Sequence, residues 1–168
     1  MQQIPVRLHA WLRALPDMQL WAALFAGRAL LGLPLLAVFY FGKIGTAAVP
    51  RDFPTSIHSP AFLAYVLLVA PVTETLLECS LPHLILRARI HRHPWLFTIV
   101  SAALMAAIHP IGLASVFPLL TGLLLAYCYL LFLHRHPARV AFAVTASFHI
   151  AINLAGLVCS AAFIASAA

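Results

Sequence analysis

The sequence predicts an all-α bundle of about five membrane-spanning helices. Of the 168 residues, 64% are apolar and 8% are charged, whereas about a quarter of the residues in soluble domains are charged. Five apolar runs are long enough, or nearly so, to cross the roughly 30 Å of hydrocarbon in a bilayer. Nine of the ten basic residues stand outside these runs or at their ends, and they form no periodic polar face. The net charge of +6 therefore indicates loops of a membrane protein and not a nucleic-acid partner.

The chain divides into a short N-terminal segment and one transmembrane domain. In residues 1–19, Leu8, Trp11 and Leu12 share one helical face, which is typical of a helix lying on the membrane surface, although a plain tail fits as well. Residues 20–168 form the membrane domain, with Pro94 opening its third helix and Pro118 its fourth. The five expected spans are residues 20–42, 61–86, 95–116, 117–133 and 139–164.

The distribution of charge over the loops predicts the orientation. With the N-terminus in the cytoplasm, seven basic residues lie on the inner side and only two on the outer side, which follows the positive-inside rule. The inner residues are Arg7, Arg13, Arg87, Arg89, Arg92, Arg135 and Arg139, and the outer ones are Lys43 and Arg51. Five spans then place the C-terminus outside. Arg28 lies within the first span, where it either extends to the cytoplasmic surface or pairs with a carboxylate inside the bundle.

Four polar residues from three different spans fall at one depth. Counted from the cytoplasmic ends of their spans, they lie about 15–21 Å into the membrane, near its middle. These residues are Glu74, His109, His149 and Asn153. His149 and Asn153 are four residues apart and share a helix face, as do Glu74 and Glu78. The spacing therefore predicts one polar cluster inside the bundle.

The carboxylate is the most informative member of this cluster. An intramembrane His or Asn commonly makes a hydrogen bond between helices. A buried carboxylate costs several kcal/mol unless it is protonated or paired. Intramembrane ionisable residues usually mark functional sites. A carboxylate that faces two imidazoles and an amide indicates acid–base chemistry.

At these residues the sequence resembles the CAAX-protease and bacteriocin-processing (CPBP, or Abi) family of intramembrane proteases. The family pattern has three helix-borne motifs, EExxxR, FxxxH and HxxxN, which correspond here to "ETLLEC" at 74–79, "MAAIH" at 105–109 and "HIAIN" at 149–153. The third motif is intact, whereas Met105 replaces the Phe of the second. In the first motif, Thr75 and Cys79 replace the second Glu and the Arg. The small size is similar to that of a bacterial branch of the family, which implies a bacterial inner membrane.

The resemblance implies peptide-bond hydrolysis in or at the membrane, on a membrane-anchored peptide or protein substrate. Glu74 would be the general base that activates a water, and His109 would orient the water or Glu74. His149 and Asn153 would donate hydrogen bonds to the developing oxyanion. Glu78 is a secondary candidate that could replace the missing acid. The expected mechanism uses no cofactor, and zinc bound by two His and a carboxylate is the alternative.

Two functions from other classes stay open. A non-catalytic membrane scaffold or immunity-type protein could have kept a degenerate site, and the altered first motif favours that reading. A proton or metal-ion carrier could use Glu74, Glu78 and the histidines as a relay. A carrier, however, needs polar residues along the whole depth of the membrane, whereas these gather at one level.

The orientation is testable with reporter fusions that are active on only one side of the membrane. A reporter inserted at 134–138 is expected to report the cytoplasm, and one inserted within 43–60 the opposite side, because seven of the nine loop-borne basic residues lie on the inner side in this topology. The reverse labelling would contradict both the orientation and the depth count of the polar cluster.

Overall fold

The protein is a bundle of α-helices, as the sequence predicts. The computed structural model describes residues 3–41, 59–109 and 116–167, and side chains within 8–30, 59–109, 116–159 and at 161. These residues form six helices and no strand. The helices are α1 (Gln3–Ala14), α2 (Asp17–Phe41), α3 (Pro60–Leu86), α4 (Pro94–Ala107), α5 (Val116–Leu133) and α6 (Ala138–Ala167).

Three of the described helices are long and apolar enough to cross a membrane. They are α3, α5 and the Ala138–Cys159 part of α6. α2 has 25 residues, but many of its side chains lie outside the described set. The expected outer segment at 43–60 lies almost wholly outside the described residues, as does the junction between the third and fourth spans. Five spans and their orientation therefore stay predictions.

The third expected span, 95–116, is shorter as a helix than the sequence suggested. α4 ends at Ala107 after 14 residues, a rise of about 21 Å. His109 therefore follows the helix end and does not lie within a continuous span. Pro110 comes directly after His109, and a residue that precedes a proline is disfavoured in the α conformation.

α3 is continuous but contains two π turns, Tyr65–Val69 and Leu76–Ser80. Each turn ends two residues before a proline, Pro71 or Pro82. A proline has no N–H to donate, and its ring clashes with the carbonyl four residues earlier. A π turn, with hydrogen bonds to the fifth residue back, widens the helix at that point. Accordingly, the Ala70 N–H bonds to the Tyr65 carbonyl.

The tightest helix pair is α4 against α5. Gly122 on α5 faces Met105 and Ala102 on α4 so closely that a Cβ at Gly122 would lie 2.7 Å from the Met105 Cβ and 2.9 Å from the Ala102 Cα. Nearby, Phe97 stacks on Tyr129 with ring centroids 5.7 Å apart. A small residue at a crossing lets two membrane helices approach closely.

α2 packs on α6 through aromatic rings. Trp21 and Phe25 stack on each other, and both meet Phe148 edge to face. These geometries suit the ring quadrupoles, which favour offset-stacked and edge-to-face pairs. The contact holds α2 beside the site described below.

Arg135, in the loop between α5 and α6, binds the C-terminal end of α1 to the bundle. Its guanidinium donates hydrogen bonds to the carbonyls of Leu12, Arg13 and Leu15, at the C-terminal end of α1. It also pairs with Asp17 at 3.1 Å. The last carbonyls of a helix have no partner within it. Arg135 therefore caps α1, and Leu12 is buried in the core.

The approach at Gly122 predicts that Gly122→Ala destabilises the bundle. The added methyl group must displace Met105 or the α4 backbone, and such overpacking costs about 1–3 kcal/mol. Thermal unfolding of the purified protein in detergent should therefore show a lower Tm. Gly27→Ala is the matched control, because its Cβ meets nothing within 4 Å. Equal Tm values for the two variants would contradict the close α4–α5 packing.

Candidate functional site

The structure brings all four predicted site residues to one cavity. Glu74 on α3, His109 after α4, and His149 and Asn153 on α6 line a cavity of about 490 Å³. The other walls come from α2 and α5, which contribute Arg28 and Thr121. A cavity of this size falls within the range of small-molecule and peptide-side-chain sites.

The centre of the cavity is a contact between α3 and α6. The Nε2 of His149 lies 3.4 Å from Oε2 of Glu74, and the two side chains are 2% and 20% exposed. Imidazole Nδ1 lies 3.3 Å from Oγ1 of Thr75, which is fully buried. When Nε2–H faces Glu74, Nδ1 accepts from the Thr75 hydroxyl. Thr75 therefore holds the ring of His149 toward Glu74, a contact between two helices that the sequence pattern does not reveal.

His109 has a fixed orientation as well. Its Nδ1 donates to the carbonyl of Met105 at 2.8 Å, across the last turn of α4. This bond leaves the lone pair on Nε2, since only one ring nitrogen of a neutral imidazole carries a hydrogen. His109 is close enough to interact electrostatically with both Glu74 and His149.

Asn153 satisfies a carbonyl that α3 leaves without a donor. In an α-helix the Val66 carbonyl would accept from Ala70, but the Ala70 N–H bonds to Tyr65. The next possible donor, Pro71, has no N–H. The Nδ2 of Asn153 donates to this carbonyl at 3.0 Å, which leaves its second N–H free to serve the cavity.

Arg28 is the site residue that the sequence analysis did not select. Its side chain lines the cavity with Glu74, and Nη2 donates to Oγ1 of Thr121 at 3.4 Å. Its Nε is buried and has no hydrogen-bond partner among the described residues. Of the two directions expected for Arg28, the structure shows the side chain turned toward the cavity inside the bundle. An arginine inside an apolar run was the available signal.

Glu78 does not line the cavity with Glu74. It is fully buried, in the π turn Leu76–Ser80, which packs against α4, α5 and α6. Its Oε2 has no hydrogen-bond partner among the described residues, and the Cys79 Sγ lies 4.0 Å from Oε1. The four-residue spacing predicted a shared face only for an α-helix, and the π turn changes that register.

These groups together can exchange protons with a small polar molecule. A carboxylate, two imidazoles, an amide N–H and a guanidinium face one partly accessible space. Carboxylates and imidazoles commonly act as general acids and bases, and the guanidinium can stabilise an anion. Within the described part of the chain, no set of three His, Cys, Asp or Glu side chains has the geometry to hold a metal ion.

Comparison of the chain with known protein families, sequences and structures identifies no relative. No protein-family model matches it, and neither a curated protein nor a solved structure does. What the site does must therefore be inferred from its own chemistry.

The contact of Asn153 predicts a measurable effect on stability. Asn153→Ala leaves the Val66 carbonyl without a donor, and interhelical hydrogen bonds in membrane proteins contribute about 0.6–2 kcal/mol. Thermal unfolding in detergent should show a lower Tm for this variant. Ser147→Ala is the control on the same helix, because its hydroxyl bonds only to the Val144 carbonyl of α6. An unchanged Tm for Asn153→Ala would contradict the role given to this amide.

Proposed function

We propose that the protein is an intramembrane endopeptidase, related to the CPBP proteases, that cleaves a membrane-anchored peptide or protein. The observation that carries the proposal is the 3.4 Å contact of Glu74 with His149 in a cavity that also holds His109, Asn153 and Arg28. Most polar groups in an apolar bundle pair to satisfy one another. Here the carboxylate keeps partial exposure toward an open space of about 490 Å³, which has room for water and a peptide bond.

In the proposed reaction, Glu74 takes a proton from a water molecule as the oxygen attacks the peptide carbonyl carbon. The Nε2 of His109, with its lone pair free, orients the water. The carbonyl oxygen becomes an oxyanion. Once Glu74 carries the proton, the Nε2–H of His149 turns from Glu74 to this oxyanion, which also accepts from the second N–H of Asn153. Glu74 then passes the proton to the leaving nitrogen as the C–N bond breaks, and a carboxylic acid and an amine are released.

The departures from the family motif have local compensations. Thr75 replaces the second Glu, and its hydroxyl contacts Nδ1 of His149. Cys79 replaces the Arg and is buried outside the cavity. Arg28 supplies a guanidinium from α2 instead. The proposed site therefore keeps one base, two imidazoles and one cation, assembled from a different set of helices.

A membrane scaffold without catalysis is the second candidate. The observations that favour it are the interhelical contacts of Thr75 with His149 and of Asn153 with Val66, since both would stabilise a bundle that has no activity. In the zinc-dependent form of the protease, Glu74, His109 and His149 would be the ligands, and the three side chains would have to rearrange, because they form no metal-binding set in this structure. A carrier is less well supported, because Glu78, the next group of a relay, is buried away from the cavity.

The proposal places the protein in a bacterial inner membrane, with the N-terminus in the cytoplasm and the C-terminus outside. The substrate reaches the cavity from the bilayer or from its surface. Prenylated C-terminal peptides, leader peptides and membrane-anchored sorting signals are the classes to assay.

Glu74→Gln is expected to abolish most proteolysis of a susceptible peptide in such a panel. The amide keeps the size of the side chain but cannot accept the proton, and loss of a general base typically lowers the rate by about 10²–10⁴-fold. His149→Ala and Asn153→Ala should each lower it by about 10²–10³-fold through the oxyanion. The measurement is the cleavage rate of the reconstituted protein, with Tm recorded in parallel.

Glu78→Gln is the matched control, with the same chemical change on the same helix but outside the cavity, and its rate should fall much less. Cleavage by Glu74→Gln at the wild-type rate would refute the mechanism. Retention of partner binding by all four variants, without peptide cleavage by the wild type, would favour the scaffold. Loss of activity with a chelator and its return with zinc would favour the metal-dependent form.

A further inference from the structure

A second cavity lies toward the opposite end of the bundle from the cavity with Glu74, between α1, α4, α5 and the loops at 87–93 and 134–137. We call this end of the bundle the arginine-rich end, because it holds Arg13, Arg87, Arg89, Arg92, Arg135 and Arg139. The cavity measures about 400 Å³ and is distinct from the one that holds Glu74. Four of its lining side chains can carry positive charge: Arg13, His9, His91 and His134.

No carboxylate of the described residues lines this cavity. Of the acidic residues within the described part of the chain, Glu74 and Glu78 lie within α3. Asp17 is occupied by Arg135 and His136, at 3.1 and 2.7 Å. The four cation-capable side chains therefore have no anionic partner in the cavity wall.

The cation-capable side chains around this cavity are close enough to affect the pKa of His134. Desolvation lowers the pKa of His134 below its ordinary value, and neighbouring positive charge lowers it further. The neighbours that can carry this positive charge come from α1 and from both loops, and are Arg13, His91, His9 and Arg135. An anion in the cavity would reverse this electrostatic penalty, because an opposite charge favours the protonated imidazole.

Hydroxyl groups and apolar side chains complete the wall. The Tyr127 hydroxyl lies 2.7 Å from Nδ1 of His9, and the Thr98 hydroxyl donates to the Pro94 carbonyl of its own helix at 3.1 Å. Leu130, Leu133 and Trp95 give the cavity an apolar side. Trp95 is 60% exposed, and an exposed Trp at the end of an apolar helix is typical of the membrane–water interface.

From this geometry we propose that the cavity binds a phosphate group at the membrane surface. Four cation-capable side chains and the Tyr127 hydroxyl match the oxygens and charge of a phosphate, which prefers charge-assisted hydrogen bonds. The apolar side would accommodate the first part of an acyl chain, so the phosphate of an anionic lipid headgroup uses the whole cavity. A soluble phosphate would use only the charged half. This site does not depend on the proposed protease activity.

The test measures binding to the purified full-length protein in detergent by isothermal titration calorimetry. The probes are dihexanoylphosphatidic acid, inorganic phosphate and dihexanoylphosphatidylcholine, below the micelle-forming concentrations of the two lipids. Phosphatidic acid is expected to bind at least about tenfold more tightly than phosphatidylcholine, a difference of about 1.4 kcal/mol. Binding of phosphatidic acid more tightly than inorganic phosphate supports a lipid as the source. Equal binding of these two supports the phosphate site with a soluble ligand.

Substitutions of the lining residues test whether phosphatidic acid binds in this cavity. Arg13→Gln and His91→Gln should each weaken binding of phosphatidic acid by about tenfold or more, because each variant loses a charge-assisted hydrogen bond to the phosphate. Arg139→Gln and His93→Gln are the matched controls, because both residues lie at the same end but do not line the cavity. Equal binding of phosphatidylcholine and phosphatidic acid would overturn the proposal. Equal losses in the cavity variants and their controls would overturn it too, since general surface charge would then explain the affinity.

Discussion

Pro71 has no N–H to donate, and the arrangement of the site depends on that constraint. Because the proline cannot continue the α-helical ladder, α3 forms a π turn over Tyr65–Val69. The turn leaves the Val66 carbonyl without a donor from its own helix. In an apolar environment such a group must find a partner in the protein, and Asn153 on α6 provides it. α3 and α6 run in opposite directions, so the same docking brings His149 beside Glu74.

The two carboxylates of α3 have the same chemistry but different surroundings. Glu74 stands at a cavity and has an imidazole at 3.4 Å, so it can exchange a proton with a bound molecule. Glu78 is enclosed by α4, α5 and α6 and has one oxygen without a partner among the described residues. An unpaired ionised carboxylate in such surroundings is very costly. Only Glu74 therefore combines access with a partner, and the proposed chemistry rests on it.

The two ends of the bundle also differ in their charged side chains. Arg135 caps α1 and shares Asp17 with His136. Arg13, His9, His91 and His134 at the same end therefore have no carboxylate partner among the described residues. Arg28 brings a guanidinium to the cavity that holds Glu74. The two cavities thus differ in kind. The cavity with Glu74 combines a base with a cation, which suits the proposed hydrolysis. The cavity at the arginine-rich end has cation-capable side chains beside an apolar wall, which suits the proposed lipid phosphate.

The sequence by itself determined the helical class and the clustering of Glu74, His109, His149 and Asn153, because both follow from apolar run length and from the rise of a helix. It also contained the signal for the early end of α4, in the proline after His109. Only the tertiary structure decided the direction of Arg28, the burial of Glu78 and the contact of Thr75 with His149. Periodicity arguments assume an unbroken α register, and the π turns of α3 break it. The direction of a long side chain, in turn, depends on where neighbouring helices leave space, and that is a property of the packed bundle.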